Sequence, residues 1–299
     1  MSNKSLVSII VNCFNGEKYL EECLNSIINQ TYQNWELIFW DNRSTDNSKK
    51  IFEKFKDNRF KYYLSPKHTF LYEARDLAIK ESKGEFIAFC DVDDFWSKEK
   101  LEYLMPLFSN KKVGIAYSNV WLFNEVDKSK KKYIKNKLPT GNLRSHIIKE
   151  PVVTILAAII RKSDYYNLEI GFNKNYQIIG DFDFFIRISK NITFECTQEP
   201  LVFYRLHEGN FTKKNREIEV QELESWFLEM KNTRSFFSED ELNLISEQIL
   251  YKKIMILILK RNFFSSVLNI IKFPNRVKKI KLFIALLIPN FILRRIKEF

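Results

Sequence analysis

Three carboxylates, Asp91, Asp93 and Asp94, follow the apolar run Phe86-Ile87-Ala88-Phe89-Cys90 almost without a gap. Like charges this close repel, and each costs free energy to take out of water. A divalent cation relieves both costs. Hard carboxylate oxygens suit Mg2+ or Mn2+, ions that often bridge a few carboxylates to substrate phosphates. The plainer alternative is an acidic cap at a strand–helix junction, since Asp caps helices well. Other groups stand at similar junctions. Asp41 ends a second apolar run, Asp181 and Asp183 open an apolar helical stretch, and Arg205 and His207 end a strand-like one. Three histidines, His68, His146 and His207, are too few and too scattered to suggest a zinc site.

Those groups need elements to position them. Val7–Val11 is a continuous β-branched strand, followed by a turn at Asn15-Gly16 and a helix with Leu20, Cys23, Leu24 and Ile27 on one face. Trp35–Trp40 and Phe60–Leu64 read as further strands. Between them Ser44-Thr45-Asp46 opens a helix. Leu71–Ser82 reads as a helix closed at its C-terminal end by Gly84, and Phe86–Cys90 as a fourth strand. Strand–helix alternation at this spacing implies an α/β fold, a mainly parallel Rossmann-like sheet flanked by helices. Ligands then bind at the carboxyl ends of the strands, where Asp41 and Asp91–Asp94 lie. Farther on, Gly114–Phe123, Thr193–Cys196 and Leu201–Arg205 are strand-like, Val152–Arg161 is apolar, and Lys128–Lys137 is a lysine-rich solvated loop. From about Arg216 the pattern is helical.

The chain has 299 residues, 45% of them hydrophobic, and a net charge of +11. Ten Lys and Arg against one acid fall between Lys260 and Phe299, beside the apolar run Leu282–Ile288. Apolar segments flanked by cations suit a helix lying on an anionic membrane surface, and the same helical tail could serve a homodimer. No run reaches the ~18 apolar residues of a membrane span. The N-terminus lacks the apolar core of a signal peptide. Cys13, Cys23, Cys90 and Cys196 are scattered, as free thiols of a reducing cytoplasm would be. Nucleic-acid binding would place basic residues among exposed aromatics on one face. Here the charge sits in a tail and a loop, so no nucleic-acid partner is expected.

Taken in order, these motifs resemble the family 2 glycosyltransferases of the inverting GT-A fold over roughly residues 5–212. The resemblance is carried by Val7–Leu20, Ser26–Tyr32, Asp41-Asn42-Arg43-Ser44-Thr45-Asp46, Ala74-Arg75-Asp76, Asp91-Val92-Asp93-Asp94, Gly180–Arg187 and Tyr204-Arg205-Leu206-His207. It implies a donor-binding half over 1–110, an acceptor-binding half over 111–215, and a basic helical extension over 216–299. It implies that Asn15 and Asp41 bind the donor, with Asp41 accepting a hydrogen bond from its base and Arg75 near that base. Asp91 contacts the ribose and shares the metal, Asp93 binds Mn2+ or Mg2+, and Asp94 holds the metal or the donor sugar. Asp181 is the general base, and Arg205 or His207 faces the diphosphate or acceptor. The sequence departs from the family pattern at Asn12, where many members have proline, at Asn42-Arg43 for Asp-Gly, and at Gly180 for a glutamate.

The expected activity is metal-dependent transfer from a nucleotide-sugar donor, UDP-linked by resemblance, to a glycan or lipid-linked oligosaccharide at the inner face of the cytoplasmic membrane. The cation stabilises the leaving diphosphate, one carboxylate takes the acceptor proton, and a single displacement inverts the anomeric carbon. A silent nucleotide-sugar binder on the same fold is the alternative.

Overall fold

The computed structural model describes residues 5–232 and 237–293. The chain divides into two compact units, Met1–Asn210 and Phe211–Phe299.

In the first unit β1 (Val7–Cys13) and β2 (Trp35–Asp41) are buried at every position, as parallel strands covered on both faces must be. Helix α1 (Leu20–Ile28) connects them, burying Leu20, Cys23, Leu24 and Ile27. Helix α2 (Ser48–Phe52) leads to β3 (Phe60–Leu64), and α3 (Leu71–Lys80) leads to β4 (Phe86–Phe89). Then follow β5 (Phe95–Trp96), α4 (Lys100–Leu104), β6 (Val113–Asn124), β7 (Lys130–Lys132), α5 (Arg144–Lys149), β8 (Ala158–Arg161), α6 (Lys162–Tyr166), α7 (Gly180–Ile188) and β9 (Thr193–Leu206).

Among the described residues the strands form one nine-stranded sheet in the order β3-β2-β1-β4-β8-β6-β9-β5, with β7 paired to β6. The first four strands are mutually parallel, and β6 runs parallel to β9. Strand β8 is antiparallel to both β4 and β6, and β5 is antiparallel to β9. Register sets the site. Cys13 lies opposite Asp41 and Ile10 opposite Phe89, so β1, β2 and β4 end at one edge.

Three local readings change. The two segments Thr193–Cys196 and Leu201–Arg205 are one strand. Pro200 sits opposite Asn119 where the β6–β9 register shifts, the kind of irregular position at which a sheet tolerates proline. Part of the lysine loop, Lys130–Lys132, pairs with β6 as an exposed edge strand. Gly84 does not supply a left-handed helix cap, since Gly141 is the only described glycine with positive φ. A side chain at Gly84 would instead lie 2.7 Å from Leu6 O and Ser8 N, so close approach to β1 requires it.

The second unit comprises α8 (Phe211–Lys214), α9 (Arg216–Asn232), α10 (Glu239–Leu259), α11 (Phe263–Lys272), α12 (Arg276–Leu287) and α13 (Asn290–Leu293). Polar residues start its helices. Ser238 and Glu241 form a capping box on α10, and Asn262 and Asn275 cap α11 and α12. Ile254, Ile258, Ile270, Phe273, Leu282 and Ala285 form its small core. No described helix is long and apolar enough to cross a membrane. Arg294, Arg295 and Lys297 of the basic tail lie outside the described residues.

Candidate active site

The Asp91–Asp94 segment leaves β4 at the carboxyl edge of the sheet and turns sharply, with Asp94 N–H donating to Asp91 O at 2.9 Å. Gly16, in the turn after β1, makes room for it. A Cβ at Gly16 would lie 2.5 Å from the Val92 side chain. Beyond the turn β5 pairs with β9, Phe95 opposite Phe203. That register brings Arg205 onto Asp94, whose Oδ1 accepts the Arg205 N–H at 2.8 Å.

Two buried arginines bracket the segment. Arg75, on α3, is 1% exposed. It donates from Nη2 to Asp91 Oδ1 at 2.9 Å and from Nη1 to Asp181 Oδ1 at 2.7 Å. Tyr72, Phe89 and Phe172 surround the guanidinium at 5.4–5.9 Å. Burial works against this cation, and the two carboxylates outweigh it. Asp181 lies in the first turn of α7. Burial lifts its carboxyl to about 6, Arg75 pulls against that rise, and Asp91 adds to it. The side chain keeps 30% exposure, so Asp181 is half-buried rather than sealed in the core.

Arg205 is equally buried but differently paired. Its Nε donates to Asp93 O at 2.8 Å, and its two Nη groups pair with Glu22 and Glu125. Tyr19, Phe95 and Phe123 pack around it. Arg205 or His207 was expected to face the diphosphate or acceptor; every guanidinium nitrogen of Arg205 is engaged within the protein. Arg75, expected beside the donor base, likewise lies buried between two carboxylates.

His207 ends the cluster. Its Nδ1 accepts the Gly209 N–H at 3.0 Å, which leaves the proton on Nε2 to donate to Asp93 Oδ2 at 2.9 Å. Burial raises the Asp93 carboxyl and the nearby Asp91 adds to the rise, while His207 opposes it. Asp94 is raised well above the usual carboxylate range by burial and by Asp93 and Asp91.

At the neighbouring strand end, Asp41 is held from both sides. Ser44 N–H donates to Oδ1 at 2.7 Å and the Tyr62 hydroxyl to Oδ2 at 2.6 Å. Asn15 adopts φ +54° and accepts the Thr45 N–H at 2.8 Å, locking this loop to the first. Asp46 serves the start of α2, accepting the Ser48 and Glu17 N–H groups.

The donor set is compatible with a hard divalent cation. Asp94 Oδ2 is buried without a hydrogen-bond partner; burial and the Asp91 charge raise the Asp93 carboxyl, and burial with the charges of Asp93 and Asp91 raises that of Asp94. Among the described residues no group of three or more His, Cys, Asp or Glu side chains is already arranged around a common centre. Asp93 and His207 are in contact, and Asp91 is turned toward Arg75.

Sequence reasoning missed Glu22, Glu125 and Tyr62. Nothing in the local sequence around either glutamate marks Arg205 as its partner. Tyr62 was placed on a strand, and the pairing of β3 beside β2 was the available signal. The departures also find places. Gly180 packs against the Tyr72 ring, where a Cβ would lie 2.5 Å from a ring carbon. Asn12 is buried with its Nδ2 unpartnered.

A family described as Glycosyl transferase family 2 matches residues 8–184. The chain is 35% identical over 119 residues to the UDP-Glc:alpha-D-GlcNAc-diphosphoundecaprenol beta-1,3-glucosyltransferase WfgD of Escherichia coli, covering 40% of this chain and 47% of that protein. The match spans about half the length, or less, of that protein and of two further relatives of similar identity. In fold it is similar to S. aureus TarS in complex with UDP-GlcNAc, with TM-score 0.62 and 20% identity over 82% of this chain and 72% of that one. It is similar too to the mannosyltransferase PcManGT from Pyrobaculum calidifontis with GDP-Man and Mn2+, with TM-score 0.62 and 17% identity over 82% and 69%.

Proposed function

The chain belongs to glycosyl transferase family 2, and on that premise we propose an inverting glycosyltransferase that carries a sugar from a nucleoside-diphosphate donor, UDP-linked first, to a hydroxyl of a glycan or lipid-linked oligosaccharide. The observation that carries this reading is the pairing across Arg75. One guanidinium joins Asp91, at the strand end where the donor would bind, to Asp181, a half-buried carboxyl suited to the acceptor.

Each residue then has a task. Asp41, oriented by Ser44 and Tyr62, keeps free lone pairs for the donor base. Asn15 fixes the loop beside it. Asp91 meets the ribose. Asp93 would hold Mn2+ or Mg2+, with Asp91 and Asp94 beside it, and His207 is in contact with Asp93. When bound, the cation supplies charge stabilisation for the leaving diphosphate. Asp181 removes the acceptor proton. A carboxyl lifted to about 6 remains ionised at neutral pH yet is a stronger base than an ordinary aspartate. One base and no enzyme nucleophile give one displacement, with inversion. Arg75 acts through the two carboxylates it orients, and Arg205 holds the segment that carries Asp93.

The relatives support the substrate classes. The Escherichia coli enzyme is named for a UDP-glucose donor and a diphosphoundecaprenol-linked acceptor, and the similar structures hold UDP-GlcNAc, or GDP-Man with Mn2+. We place the protein in assembly of a bacterial surface polysaccharide, lipooligosaccharide or glycoprotein glycan, at the inner face of the cytoplasmic membrane. Ligand-observed NMR with UDP-, dTDP- and GDP-sugars tests this, with Mn2+, with Mg2+ as the diamagnetic control, and on Asp93→Ala. Cation-dependent binding of one donor, lost in Asp93→Ala, is expected. No binding of any donor with either cation would overturn the reading.

A further inference from the structure

We propose that the outer face of α11 and α12 is a docking surface for an anionic lipid bilayer. Both helices are apolar on two sides. One side enters the core of the second unit through Ile270, Leu282, Ala285 and Leu286. The other is left in solvent. On α11 it presents Phe263, Phe264 and Ile271, with Phe264 74% exposed. On α12 it presents Val277, Ile280, Ile284 and Leu287, spaced as one helical stripe, with Leu287 79% exposed. An uncovered apolar face on two consecutive helices signals an interaction surface.

Charge identifies the partner. No acidic residue occurs between Lys260 and Leu293. Three cations around the exposed stripes, Lys272, Arg276 and Lys281, are themselves exposed and have no ion-pair partner among the described residues. On α12 Arg276 and Lys281 fall on either side of the apolar stripe. Apolar side chains can then enter the acyl boundary while the cations reach lipid headgroups. A second copy of the chain is a poorer occupant, because face-to-face contact would set cations against cations and bury lysines that interfaces usually exclude. The helices cannot span. At about 1.5 Å per residue α12 is roughly 18 Å long, against a hydrocarbon core of about 30 Å. They lie in the plane of the interface.

This surface deepens the reading of a lipid-linked acceptor, since it would bring the enzyme to the membrane where that acceptor resides. Its test does not depend on sugar transfer. The full chain is floated with vesicles of phosphatidylcholine alone and of phosphatidylcholine with phosphatidylglycerol. Strong binding is expected only to the second, weakening at high salt. Replacing Lys272, Arg276 and Lys281 together by Gln should weaken it by about 100-fold, at several-fold per cation. The pair Phe264→Ser and Ile284→Ser should abolish binding with an unchanged melting temperature, because both side chains lie outside the core. Equal binding to the two vesicle types, or wild-type binding by the Ser pair, would overturn the proposal. So would a concentration-dependent dimer that the Ser pair dissolves, without vesicle binding. Donor binding by NMR, run on the same proteins, keeps the two claims apart. A chain that binds a nucleotide sugar but no vesicle refutes the surface and leaves the transferase standing.

Discussion

Arg75 and Arg205 are both buried, both cationic and both in contact with the Asp91–Asp94 turn, but they are used in opposite ways. Arg75 places its charge directly on Asp91 and Asp181. Arg205 gives its charge to Glu22 and Glu125, and offers the turn only the neutral-acceptor contact to Asp93 O and a backbone N–H to Asp94. One arginine therefore sets charge and the other sets shape. The difference explains why the Asp93 and Asp94 carboxyls stay electrostatically strained while sitting beside a guanidinium. Had Arg205 paired with them, the attraction for a cation would be largely cancelled.

Breaking each arginine in turn sharpens that contrast. Arg75→Gln should have the largest effect. Turnover should fall by roughly 10²-fold as the base loses its orientation. The acid limb of kcat/KM, expected near about 6, should move to higher pH, because Arg75 favours the ionised form of Asp181. Arg75→Lys should leave the limb closer to wild type, since it keeps the charge but not the fork that reaches both carboxylates. Arg205→Gln should instead appear in urea unfolding, with a loss of about 2–3 kcal/mol as the guanidinium's bonds to Asp93 O, Glu22 and Glu125 go. Its acid limb should stay near about 6. A shifted limb in Arg205→Gln would erase the distinction. Gly180→Ala should cost about 1–3 kcal/mol by overpacking against Tyr72. Because that ring lies 5.4 Å from the Arg75 guanidinium, a smaller shift of the limb should follow. Tyr62→Phe should have the smallest effect. It removes one hydrogen bond to Asp41, away from both arginines, and should weaken donor binding by calorimetry about three- to tenfold with no change in the pH profile.

The strands were readable because burial on both faces leaves runs rich in β-branched residues, as at Val7, Ile9, Ile10 and Val11 of β1. The carboxylates were readable because strand order places their turns at one edge. What stayed hidden was partnership over long sequence distances. Arg75 meets Asp181 across 106 positions, and Arg205 meets Glu22 across 183. No local pattern of residues records either pair. Thr193–Cys196 and Leu201–Arg205 read as separate segments, yet they are one strand: the missing N–H of Pro200 between them falls where the β6–β9 register shifts. Gly84 misled for a local reason. A glycine after a helix suggests a left-handed cap, whereas crowding against Leu6 and Ser8 is what excludes a side chain.

The most direct measurement separates binding from chemistry at Asp181. With the donor found by the NMR screen and its acceptor, single-turnover transfer and donor affinity are compared for wild type and Asp181→Asn. Transfer should fall roughly 10²–10⁴-fold, with donor affinity and its dependence on Mn2+ or Mg2+ nearly unchanged. Transfer within a few-fold of wild type, or a loss of donor affinity that matches the loss of rate, would contradict the assignment of Asp181 as the base.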